Sequence, residues 1–189
     1  MLLQNRSIGQ NFLTFYTNKV EYIHTTTKPG LALSNNMKEF DYELPYEELD
    51  FTDPEIRGLY RIGRGEQGVL LVRPYTNDIC AHWRFVNEET ATKSSNKIYE
   101  MFCEYKSRKD FIGMDMARKF LEMGFTRARR YANHSSGRKY AEDGSVSACE
   151  EDCLTNVKAR AAQIFKVIRD KAAYDTEYQT MRKEWRSQE

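Results

Sequence analysis

No apolar stretch of this chain runs beyond a few residues. The longest clean one is Val69-Leu70-Leu71-Val72, against the about eighteen residues that a bilayer span requires. A membrane-crossing helix is therefore not expected, and the chain reads as a soluble, cytoplasmic protein. It also lacks a charge surplus: 29 Lys and Arg stand against 28 Asp and Glu, unlike proteins that coat nucleic acid by excess of base. A polyanion site here has to come from segregation of charge along the chain. The four cysteines, Cys80, Cys103, Cys149 and Cys153, have no CxxC spacing and no secretory context, so reduced thiols are expected. The Cys149 and Cys153 pair, or His82 beside Cys80, makes a poor zinc site, and no metal and no cofactor are expected.

What is present is enough for a single core. Forty per cent of 189 residues are hydrophobic, with ten Phe, twelve Tyr and two Trp. Residues 1–37 differ in character, being rich in Asn and Thr with no sustained period, and read as a leader or extension, with Met37 as an alternative start. Residues 38–189 then form one globular domain. From Phe40 to Tyr60 aromatic and acidic residues alternate around Pro45 and Pro54, which suggests an extended arm. Leu59–Ile62 and Val69–Val72 read as two strands joined by a glycine hairpin, with Trp83 to Phe85 as a short third strand. Beyond Asn87, a plausible N-cap, the pattern is helical. Asp110 opens a second helix, Val157, Ala161, Ile164, Phe165 and Ile168 mark a third, and Tyr174, Tyr178, Met181 and Trp185 a last one. The expected fold is α+β, mainly α, with a small N-terminal β-hairpin or sheet packed on a helical core.

The helix from Met114 to Asn133 carries the clearest charge signal. Asp115, Arg118, Lys119, Glu122, Thr126, Arg129, Arg130 and Asn133 fall on one side of the helical wheel, and Ala117, Phe120, Leu121, Gly124, Ala128 and Tyr131 on the other. Asp115 with Lys119, and Arg118 with Glu122, have the i,i+4 spacing of surface pairs and read as a solvated face. Gly124 sits mid-stripe, where either another element crosses closely or the helix breaks and Thr126 caps a second one. Arg127, Arg129, Arg130, Arg138 and Lys139 have no acid among them, and residues 118–140 hold seven bases against one acid. Residues 38–57 hold eight acids against two bases. If that arm folds back along the arginine helix, the basic patch is an internal latch; if not, it faces a foreign polyanion.

Three shorter motifs carry possible chemistry. Gly63-x-Gly65-x-x-Gly68 spells the dinucleotide fingerprint, but Val-Leu-Leu-Val-Arg-Pro follows where a helix is required, so a Rossmann site is excluded. A kinase is excluded as well, by the missing lysine, His-Arg-Asp and Asp-Phe-Gly elements. Arg64 and Glu66 remain at the loop tip, beside glycines that a positive-φ turn explains equally well. His82-Trp83-Arg84 sets an imidazole beside a stacking ring and a guanidinium, and Asn133 to Lys139 has the composition of an anion-holding loop. His82, Glu66 and His134 are weak catalytic candidates, if one cleft gathers them.

The strings Tyr60-Arg61-Ile62-Gly63-Arg64-Gly65-Glu66-Gln67-Gly68-Val69, His82-Trp83-Arg84-Phe85, Gly113 to Leu121 and Arg127 to His134 resemble a family of small proteins of phages, bacteria and some microbial eukaryotes, catalogued as domain of unknown function 4385. The resemblance covers about Phe40 to Trp185. It implies one intracellular domain and supplies no catalytic residue, cofactor or substrate. Function is therefore expected from the residues alone. The first expectation is a polyanion-binding module, for nucleic acid or another phosphorylated ligand, using Arg64, Trp83, Arg84, Arg127, Arg129, Arg130, Arg138 and Lys139. The alternatives are a protein-interaction module and a small enzyme acting on a phosphorylated or nucleotide substrate.

Overall fold

A computed structural model describes residues 40–189, so the leader expected over residues 1–37 lies outside the described part. Six helices follow in order: α1 (Pro54–Arg57), α2 (Tyr75–Cys80), α3 (Glu88–Ser107), α4 (Phe111–Asn133), α5 (Val157–Ala173) and α6 (Thr176–Gln188). The central helix α4 packs on α3, α5, α2 and α6. Its first two turns explain why. Phe111, Ile112, Met114, Met116 and Ala117 point to all sides, and a helix apolar all round must be covered all round.

Local signals set the helix boundaries. Asn87 caps α3 in a reciprocal capping box with Thr90, Asn156 caps α5 and Asp175 caps α6. Asp110 caps α4 through the Gly113 amide while also receiving Arg57 at 2.8 Å and the Tyr75 hydroxyl at 2.8 Å. That one carboxylate ties the arm, α2 and the start of α4 together. Tyr174, expected inside the last helix, instead closes α5 and is exposed.

The expected β-hairpin and sheet are absent. Among the described residues there is no strand, only an isolated antiparallel bridge between Tyr140 and Val146. The apolar residues of the supposed strands do point inward, since Ile62, Val69 and Val72 are fully buried. Their backbone, however, bonds locally: Gln67 to Arg64, Val69 to Glu66 and Leu71 to Gly68 are successive turn bonds. Gly63 and Gly68 have φ of 64° and 76°, which breaks any extended run. Gly68 is also jammed beneath Phe40, whose ring occupies the place of a Cβ. The supposed third strand is pinned to helices, with the Trp83 indole donating to Phe120 O at 3.1 Å and the Arg84 amide to Ser94 Oγ at 3.0 Å. The result is a turn-rich layer draped over helices.

At Gly124 helix α4 continues unbroken, and α5 crosses so closely that a Cβ would overlap the Phe165 ring. Alanine in place of glycine favours a helix by about 1 kcal/mol, but overpacking a rigid core costs roughly 1–3 kcal/mol. Because Phe165 is fully buried and has nowhere to move, the clash is expected to win. Gly124→Ala should lower stability in urea denaturation, whereas Gly58→Ala, which meets open space in an ordinary helical conformation, should not.

Candidate functional site

Helix α4 carries two contrasting charged regions. In its N-terminal half Asp115 and Lys119 are fully buried, and Arg118 nearly so. This corrects the reading of these residues as a wet face. Arg118 Nε meets Asp115 at 3.0 Å, Lys119 Nζ lies 3.3 Å from Asp115, and Glu122 pairs with Arg169 of α5 instead of Arg118. The hydroxyls of Tyr60 and Tyr178 donate to the two oxygens of Asp115, and Lys119 donates to the Tyr60 oxygen at 3.0 Å. The Phe40 and Tyr60 rings flank the ammonium, at 5.7 and 5.1 Å from their centroids. Above the cluster Arg118 reaches Gly65 O, Arg186 reaches Gly63 O, and the buried Glu189 carboxylate accepts the Ile62 amide.

The electrostatics follow from this packing. Burial alone would raise the Asp115 carboxyl, but the Arg118 and Lys119 cations and the two tyrosine hydroxyls hold it far below the usual carboxylate range. Burial lowers the Lys119 ammonium to about 8, opposed by Asp115 and reinforced by Arg118 and Arg186. Burial and the Asp115 charge raise both Tyr60 and Tyr178. Every polar atom of Asp115, Lys119 and the two tyrosines is satisfied by the protein, so the cluster acts as an anchor for the glycine loop and α6.

The second region is the C-terminal end of α4 with the loop after it. Among the described residues no carboxylate pairs with Arg130, Arg138 or Lys139, while Arg129 is turned inward to Cys153 O and Asn133. Arg127 also has a partner. Gly137 packs on the Tyr131 ring, which brings Arg138 beside the helix. Lys158 of α5, which no sequence motif flagged, lies 6.0 Å from the Tyr131 centroid and 5.3 Å from that of Phe85, and donates to Phe85 O. Lys139 lies 5.4 Å from the centroid of the exposed Tyr140 ring. The arrangement presents cations and aromatic rings together, with the Glu150 carboxylate seated on the Ser135 amide at 2.9 Å and Glu142 and Asp143 just beyond Tyr140.

The remaining candidates are dispersed. Trp83 is buried and hydrogen-bonded, so its ring is not presented at the surface. Arg84 folds onto Trp83 O and Cys80 O, and Arg64 is exposed on the glycine loop. Glu66 accepts from Thr126, His134 is buried against Ala148 O at 3.1 Å, and His82 is exposed; no hydrogen bond joins any two of the three. Among the described residues no three His, Cys, Asp or Glu converge as for a metal ion, and no helix is long and apolar enough to cross a membrane. The acidic arm meets α4 at Asp110 through Arg57 and at Lys119 through Phe40, both in the N-terminal half.

Two expectations test the anchor. Asp115→Asn leaves two buried cations short of a counter-charge and should cost about 3–5 kcal/mol in urea denaturation. The pH response has a definite sign. The folded pKa of Lys119 is depressed to about 8 from 10.5, so between those values the unfolded chain binds more protons, and this residue makes stability rise with pH. Above about 10 the raised tyrosines act oppositely, because the unfolded chain loses their protons first. From pH 8 to 10 the wild type should therefore gain stability relative to Lys119→Met.

No curated protein and no solved structure matches the chain. A family model does, over residues 41–188, and by that match the chain belongs to the family described as Domain of unknown function (DUF4385).

Proposed function

We propose that the protein binds a polyanion, nucleic acid in the first instance, at the C-terminal end of α4. The observation that carries this reading is the grouping of cations with rings at one end of α4. Arg130, Arg138 and Lys139 form no ion pair with a carboxylate among the described residues, as Arg64, Arg108 and Lys183 elsewhere do not, but these three stand with the Tyr131 and Tyr140 rings. Cations in the last turn of a helix balance its dipole, which accounts for Arg130 on structural grounds. It does not account for Arg138 and Lys139, which stand on the loop beyond. Lys158 adds a fourth cation whose ammonium is lowered by burial and has no carboxylate partner. Tyr131, expected along with Trp83 to stack on bases, and Tyr140 supply rings for that role.

Phosphate contacts of this kind release counterions. With three or four cations engaged, log K for a single-stranded oligonucleotide should fall with log salt at a slope of roughly −2 to −3. Fluorescence anisotropy over about 50 to 200 mM salt measures this. Arg138→Ala should make the slope shallower by about 0.7 and weaken binding without sequence preference. Absence of binding at the low-salt end removes the proposal.

A further inference from the structure

The acidic arm and the basic end are complementary, yet among the described residues no ion pair joins Glu47 or Glu48 to Arg138 or Lys139. The described part of the arm, residues 40–57, holds seven acids against one base. It is fixed to the N-terminal half of α4 by the Arg57–Asp110 ion pair and by Phe40 beside Lys119. The basic loop starts at His134, and the helix between Asp110 and that point rises about 35 Å. The latch considered from the sequence thus has its two halves at opposite ends of a rigid rod.

The arm also has a shaped surface. Glu47, Glu48, Leu49 and Asp50 form, with Arg73 and Pro74, a groove of about 430 Å³. Its own charges are unequally engaged. Arg73 is drawn to Leu70 O at 2.7 Å and Asp50 to Thr52, whereas Glu47 and Glu48 are exposed and form no ion pair among the described residues. The groove therefore brings the exposed Glu47 and Glu48 together with the apolar Leu49 and Pro74 in one lining. The basic end offers the reverse, with Arg138 and Lys139 exposed beside Tyr140, a ring exposed by 56% with an ammonium already held near it.

We infer that this groove receives the Arg138–Tyr140 loop of a second copy of the chain, with the two cations on Glu47 and Glu48 and the tyrosine ring over Leu49 and Pro74. Such a contact is head-to-tail. It joins different surfaces of the two copies, so it propagates into chains or closes into a ring, and it does not stop at a two-fold dimer. It goes beyond the polyanion reading, because the arm of one copy occupies the surface that a nucleic acid would use on the next. Polyanion and self-association then compete for one site.

Sedimentation velocity of the full chain tests the inference with two charge-reversed variants, both at exposed positions whose side chains make no hydrogen bond or ion pair among the described residues, Lys139 resting only on the exposed Tyr140 ring. The wild type should associate with rising concentration at low salt and return to monomer at high salt. Glu47→Lys with Glu48→Lys, and separately Arg138→Glu with Lys139→Glu, should each stay monomeric. Mixed together they should associate again, because the native groove and the native loop stand on different molecules and the reversed groove and reversed loop are complementary in charge as well. A wild type that is monomeric at every concentration overturns the inference, as do variants that still associate alone or fail to associate when mixed. An oligonucleotide arm separates the two readings. The groove variant keeps its basic loop and should still bind the oligonucleotide, so binding by a protein that never associates defeats self-docking alone, and loss of oligonucleotide binding with association intact defeats only the polyanion reading.

Discussion

The structure is organised around a carboxylate that has no access to water. Asp115 is the fifth residue of α4, in a segment whose neighbours are apolar on every side, and its charge is retained because four donors converge on it. Two come from its own helix, at i+3 and i+4, so they are guaranteed by helical geometry alone. The other two, Tyr60 and Tyr178, come from opposite ends of the described chain and reach it only when the turn layer and the last helix have both docked. Desolvating such a group is costly, and the cost is recovered only if the full set is in place. The cluster is thus a criterion for correct assembly more than a source of net stability.

From that anchor α4 changes character along its length. Its first half is sealed by Phe40, the glycine turns and α6; its second half emerges between α5 and the loop beyond Asn133, where charge is left uncompensated. A rigid pedestal that holds one end fixed and displays the other would suit the proposed recognition by surface charge. The Trp83 indole contributes to the pedestal by its bond to Phe120 O.

How much of this was legible in the sequence varies with the physics involved. Helix starts were readable, because Asn87 and Asp110 are local signals that act within three residues. The close crossing at Gly124 was one of two readable options, and the bulk of Phe165 decided it. The strand reading of Leu59–Ile62 and Val69–Val72 failed because a short apolar run states only that a segment is buried; whether its amides bond across to a partner strand or back along the turn depends on glycine conformation and on neighbours far away in sequence. The wet-face reading of Asp115, Arg118 and Lys119 failed for a related reason. A helical wheel assigns faces by charge, and it ignored that residues 111–117 are apolar around the full circumference except at Asp115, the pattern of an enclosed helix. Lys158 was invisible, since only the packing of α5 on Tyr131 and Phe85 gives it a role.

The contact between Phe40 and Gly68 has an evolutionary consequence. The aromatic ring fills the volume that any side chain at position 68 would need, and the backbone there is already in a conformation that disfavours one. The two positions are therefore not free to drift separately: a lineage that acquires bulk at 68 must first surrender it at 40, and with it part of the cover over Lys119. Divergence across this layer is expected to proceed by paired exchanges, leaving a covarying signature between sites twenty-eight residues apart in the chain.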